Sequence, residues 1–129
     1  MTISRPLWPY PRIVAHRGGG LLAPENTLAA IRLARNLGFT GVEFDVKLTA
    51  DGVPVLMHDD MLERTTDGSG AVGEASYQDI ATLDAGNWFG NEFGGERGPS
   101  FAAASARCRE AGRWATIERK PNPGEERQT

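Results

Sequence analysis

GVEFDVKLTADGVPVLMHD, residues 41–59, decides the fold. Val42, Phe44 and Val46 alternate with Glu43, Asp45 and Lys47. Period two is a strand signature, so Glu43 and Asp45 share one face, about 7 Å apart along the strand. Two carboxylates on one face of a core strand are costly unless a cation compensates them. An Asp-Gly turn at Asp51-Gly52 and a second apolar run, Val53 to Met57, follow. A connection this short joins only antiparallel strands. A turn at Ala50 to Gly52 sets Met57 opposite Asp45 and His58 opposite Phe44, returning an imidazole to the level of the carboxylates. The hairpin is thus a candidate metal-assisted acid/base site.

Upstream, Arg12 to Ala15 is a short apolar run ending in His16-Arg17 and three glycines, the length of a buried strand with a loop behind it. Asn26 reads as an N-cap, and Leu28, Ile31, Ala34 and Leu37 recur at helical spacing until Gly38 stops them. Strand, helix and strand in that order predict a parallel pair with a right-handed crossover. Downstream, the polar stretch Met61 to Gly98 offers one short helix, from Ser76 to Leu83, and reads as an insertion anchored by Trp88, Phe89 and Phe93. Ser100 then caps a helix with Phe101, Ala104, Cys108 and Ala111 on one face, stopped by Gly112. Trp114 to Ile117 leads a third strand into Glu118-Arg119-Lys120-Pro121, and GEERQT reads as the first turn of another helix.

The bulk numbers narrow the classes. The chain has 129 residues, 40% hydrophobic and 24% charged, which fits one globular domain. A net charge of −3 without an aromatic-interleaved basic patch argues against nucleic acid. One cysteine, Cys108, excludes an internal disulfide, fits a reducing compartment and reads as a small core residue. No run has the length of a signal peptide or a membrane span, so the expectation is a cytoplasmic protein without stable membrane insertion.

The candidate site residues follow from position. The only two histidines, His16 and His58, each end an apolar run, and imidazole suits proton transfer near neutral pH. Glu43, Asp45 and Glu118 occupy polar positions of otherwise apolar strands. They are either a solvated face balanced by Lys47 and Lys120 or an inward all-oxygen set suited to Mg²⁺ or Ca²⁺ rather than zinc. A sheet of strand–helix units is normally covered on both faces, which favours the second reading. Arg17 and Lys120 are placed either to neutralise a phosphate or to balance these carboxylates. Gly18-Gly19-Gly20 matches neither the P-loop nor the dinucleotide spacing.

His16-Arg17-Gly18, APENT at 23–27, VEFDV at 42–46, DGVPVLMHDD at 51–60, RTTDGSG at 64–70, PSFAA from Pro99 and IERKP from Ile117 resemble, in this order, the glycerophosphodiester phosphodiesterase family. The resemblance implies a (β/α)₈ TIM barrel, with residues 1–129 an N-terminal partial barrel carrying an inserted hairpin and loop subdomain at about 48–98. It implies metal ligands Glu43, Asp45 and Glu118, a His16/His58 acid/base pair, and phosphate contacts from Arg17 and Lys120. The implied reaction is metal-dependent hydrolysis of a small glycerophosphodiester, such as glycerophosphocholine, to an alcohol and glycerol 3-phosphate. The rival readings are a phospholipase D-type or phosphoinositide-cleaving barrel, and a catalytically incompetent fragment. Three barrel strands where eight are needed suggest truncation at the C-terminus, and self-association through the open edges is expected. Arg119, on the helix-facing side of its strand, is expected to be buried.

Overall fold

The structure, a computed structural model, describes residues 8–127. Its centre is β1 (Gly41–Leu48), flanked by β2 (Pro54–Leu56) and β3 (Trp114–Arg119) in the order β2-β1-β3. The odd-numbered residues of β1 turn their backbone groups to one edge. There the Ala15 amide donates to the Gly41 carbonyl at 3.0 Å, and the Glu43 amide to the Ala15 carbonyl at 2.9 Å. Further along that edge the Met57 amide donates to the Asp45 carbonyl at 3.1 Å, and β2 takes over as the antiparallel partner, Val46 facing Leu56. The hairpin register is therefore the one the turn predicts. On the other edge β3 runs parallel, with Glu43 facing Thr116 and Asp45 facing Glu118.

The expected first strand is shorter than its apolar run. Ala15 alone forms a bridge, parallel to Val42, while Ile13 is 72% and Val14 36% exposed. The apolar pattern is present, but among the described residues nothing covers the far side of that segment.

Alternation sends Val42, Phe44 and Val46 to one face, where they pack with Ile31, Ala34, Leu56, Ala104 and Cys108. That face is covered by α1 (Leu28–Asn36) and α3 (Phe101–Glu110), and the Phe101 and Phe44 rings meet edge-on at 6.3 Å. Both helices end with glycine in a Schellman arrangement. After α1, Gly38 has φ +89° and the Phe39 amide returns to the Ala34 carbonyl. After α3, Gly112 and Arg113 repeat the pattern onto Arg109 and Cys108. Ser100 caps α3 as expected, its hydroxyl accepting from the Ala103 amide at 3.1 Å.

The cap of α1 differs from the expectation. Thr27, not Asn26, accepts from the Ala30 amide, and its hydroxyl donates to the Pro24 carbonyl. Asn26 sits in the left-handed region, φ +56°, and its side chain is occupied elsewhere.

Between β2 and α3 the chain builds a second small core from Val55, Met57, Leu62, Val72 and Ile80. Ser76 caps the short α2 (Tyr77–Ala81) over it. Trp88, Phe89 and Phe93 do stack edge-to-face, but at the rim, Trp88 remaining 40% exposed. The buried anchor of this segment is aliphatic. Asp84 organises the loop beside it, accepting from the Gly86, Asn87 and Gly95 amides. The donors from Asn87 first, then Gly95 and Gly86, hold its carboxyl at about 2.

Two other expectations fail. Arg119 is exposed: α3 packs on the Ala115 end of that face of β3, and Arg119 lies beyond it. Residues 124–127 form turns rather than a helix start, and 128–129 lie outside the described residues. No helix among the described residues is long and apolar enough to cross a membrane.

Candidate functional site

Glu43, Asp45 and Glu118 come from adjacent parallel strands, Asp45 and Glu118 being direct register partners. One carboxylate oxygen of each lies within 4.8 Å of the others. Their surroundings differ. Asp45 is buried and gripped by Asn26, whose Nδ2 donates to Oδ2 and whose Oδ1 accepts from the Asp45 amide, both at 3.0 Å. Glu43 is anchored through one oxygen, Oε2, which accepts from the Arg17 amide at 3.0 Å. Its other oxygen, Oε1, is buried and accepts no hydrogen bond. Glu118 is open to solvent and paired with Lys120 Nζ at 3.1 Å, which with its charge lowers the carboxyl pKa. Three converging carboxylates with an orphaned buried oxygen are a donor set a hard divalent cation fits, since buried polar atoms normally have partners.

Both histidines follow segments bonded to the same edge of β1, His16 after Ala15 and His58 after Met57. His16 begins the loop after the Ala15 bridge, is largely exposed, and places Nε2 3.8 Å from Glu43 Oε2. His58 follows β2, and its Nδ1 lies 2.8 Å from Asp59 Oδ1. With Asp59 accepting at Nδ1, the lone pair left for proton transfer is on Nε2. His58, Asp59, Asp60, Glu118 and Lys120 line an open groove of about 490 Å³.

The cations divide. Arg17, with φ +52°, turns its backbone amide to Glu43 while its guanidinium donates to Glu25 at 3.1 Å. Its Nε is buried without a hydrogen bond, 3.6 Å from Asp45 Oδ2. Lys47 balances neither Glu43 nor Asp45. It is buried, donates to Asp60 at 2.6 Å and reaches the Lys120 carbonyl. The solvated-face reading with Lys47 as counter-charge is thereby excluded, whereas Lys120 does pair with Glu118.

A set of charges that the sequence reading passed over surrounds His58. Arg64 donates to both oxygens of Asp59, at 2.7 and 2.9 Å, and to both oxygens of Glu25, at 2.7 and 3.0 Å. Arg64, more than His58, holds the Asp59 carboxyl far below the usual carboxylate range, against partial burial. For Glu25, burial is the largest influence and raises the pKa, but Arg64 and Arg17 together outweigh it. The Arg64 guanidinium is held charged in return, by Asp59 first and Glu25 second. The sequence offers Asn26 as an N-cap; its left-handed backbone and its two hydrogen bonds to Asp45 give it the other role.

A family model described as glycerophosphoryl diester phosphodiesterase family matches residues 16–128. Human glycerophosphodiester phosphodiesterase 1 is 48% identical over 106 residues, covering 79% of this chain and 32% of the human protein. A human glycerophosphoinositol inositolphosphodiesterase is 42% identical over 93 residues, covering 66% of this chain and 17% of its own. An Oleispira antarctica phosphodiesterase, solved in complex with the product sn-glycerol-3-phosphate, superposes with TM-score 0.89 and 42% identity, over 93% of this chain and 49% of that one. The glycerophosphodiester phosphodiesterase of Agrobacterium tumefaciens superposes with TM-score 0.77 and 41% identity, over 86% of this chain and 47% of that one. The chain thus spans about half the length of these solved relatives and less than half of the curated ones. Its three aligned parallel segments and two outer helices are a partial TIM barrel.

Proposed function

We propose, from the premise that the chain belongs to the glycerophosphoryl diester phosphodiesterase family, that it carries the hydrolytic site for a small glycerophosphodiester. The observation that supports this most is the carboxylate trio with its orphaned Glu43 oxygen, with His16 3.8 Å from Glu43 and His58 sharing a groove with Glu118. Glu43, Asp45 and Glu118 would hold a divalent cation, Mg²⁺ or Ca²⁺ by the all-oxygen donor set. Such an ion, when bound, supplies positive charge to the phosphate oxygens and acidity to a coordinated hydroxyl or water.

The protein groups do the rest. Asn26 holds the Asp45 carboxylate and the Arg17 amide holds Glu43, so both are pre-oriented. One of His16 and His58 removes the nucleophile's proton, and the other protonates the departing alkoxide. On His58 the atom that does so is Nε2, since Nδ1 is committed to Asp59. Arg17 and Lys120 bring cationic charge to the phosphate.

The test is release of glycerol 3-phosphate from glycerophosphocholine by this chain, with and without Mg²⁺ or Ca²⁺, beside His16→Ala. Cation-dependent release, abolished in the variant, supports the hydrolase; no release under any condition supports the catalytically incompetent fragment. A second reading has one observation in its favour, the 42% identity to the glycerophosphoinositol inositolphosphodiesterase. A phosphodiester has two P–O bonds to alkoxides, and product analysis with glycerophosphoinositol tells which breaks. Phosphate left on inositol favours that reading. Second copies of the chain, meeting along the outer edge of β3, are the proposed macromolecular partner.

A further inference from the structure

His58 is the end of a line of alternating charges. Arg17 Nη1 donates to Glu25 Oε2 at 3.1 Å, and Arg64 Nη1 donates to the same oxygen at 3.0 Å. Arg64 Nη2 spans Glu25 Oε1 and Asp59 Oδ1, at 2.7 and 2.9 Å, while its Nε reaches Asp59 Oδ2 at 2.7 Å. Asp59 Oδ1 then meets His58 Nδ1. Arg64 thus makes four hydrogen bonds to two carboxylates contributed by different loops.

Geometry separates this contact from an ordinary surface ion pair. A planar fork that grips both oxygens of a carboxylate fixes its rotation as well as its place, which a lysine point charge does not. The rotation of Asp59 decides whether an oxygen faces His58 Nδ1. That contact in turn selects which imidazole nitrogen carries the proton when the ring is neutral. Glu25, with only 11% of its side chain exposed, is the fixed end of the brace. Arg64 itself lies on the segment between β2 and α3, outside the strand–helix layer, and ties that segment to the Glu25 loop.

We infer that Arg64 is the positioning residue for His58, clamping Asp59 against Glu25 so that the imidazole is protonated at Nδ1 and bare at Nε2. The inference rests on the proposed role of His58 but is read without turnover. The chain has two histidines, so long-range ¹H–¹⁵N spectra contain two imidazoles, and His58→Gln assigns them. In the neutral ring, observed at alkaline pH, His58 of the parent chain is expected wholly in the Nδ1–H form. Arg64→Gln turns it into a mixture of both tautomers while the His16 signals stay in place. Arg64→Lys, which keeps the charge without the fork, lies between. Should Arg64→Gln lose its amide dispersion, Arg64→Lys alone decides. A His58 that stays fully Nδ1–H in every folded Arg64 variant overturns the inference. In an active preparation kcat falls about 10- to 100-fold in Arg64→Gln with KM held, and Arg64→Lys recovers part of it. A tautomer shift in a chain that hydrolyses nothing retains the clamp and rejects the hydrolase.

Discussion

Asn26 is held to Asp45 from both ends of its amide, and its backbone is left-handed. Two losses are therefore separable at one position. Asn26→Gly removes both hydrogen bonds but suits φ +56°; Asn26→Ala removes them and adds the left-handed penalty of about 1–2 kcal/mol. Urea midpoints are expected to rank parent, then glycine, then alanine, with the first step about 1–3 kcal/mol for a buried amide left unpaired. Asp59 gives a pH signature. Its folded pKa is depressed, so its contribution is complete above the ordinary aspartate value of about 3.9 and fades as pH falls towards the folded one. Arg64→Gln returns Asp59, and Glu25 with it, towards ordinary values. The midpoints of parent and variant therefore converge between pH ~5 and ~2. At this scale the sequence exposes residues that break a pattern: carboxylates in a period-two strand, imidazoles closing apolar runs. Asp59, Arg64 and Glu25 break none, because each sits in a stretch already polar, and only the fold brings them into one line.

The helices were legible because their ends are chemical. Ser100 and Gly112 bracket α3 by side-chain oxygen and by positive φ, and Gly38 closes α1 in the same way. Gly38→Ala, at φ +89° and in open space, has only the backbone penalty to bear, about 1 kcal/mol, read as a lower thermal midpoint with unchanged helix content by circular dichroism. The hairpin register was legible because a short turn leaves little choice. The Arg12–Ala15 strand was not, since an apolar run forms a strand only where both a hydrogen-bonding edge and a cover exist. Before Ala15 the parallel partner positions run back to the start of β1 at Gly41 and beyond it, so no edge is left to pair with. Arg119 follows the same logic in reverse: alternation puts it on the helix-facing side, and that side is solvent at its end because the cover of α3 stops short of it.

For the whole molecule, β3 pairs with β1 along one edge, and no described strand pairs with the other. Ile117 stands 42% exposed on it, beside an apolar hollow of about 350 Å³ that includes Val46, Leu48, Pro54 and Phe101. An open edge with apolar side chains invites pairing. Sedimentation velocity is expected to show mass rising with concentration, and Ile117→Lys to suppress the rise; a parent chain that stays monomeric at every concentration counts against the proposed self-association. The parallel register of β1 with β3 carries one further consequence, for time rather than geometry. Glu43 and Asp45 are two residues apart, but Glu118 joins them only when Gly41 meets Trp114 across the whole intervening chain. Closing so long a loop is slow and late, because its entropy is lost before its contacts repay it. The complete trio is then absent from the folding transition state, and a cation bound there is a latch rather than a template. In stopped-flow mixing, added Mg²⁺ or Ca²⁺ should leave the refolding rate alone and slow unfolding.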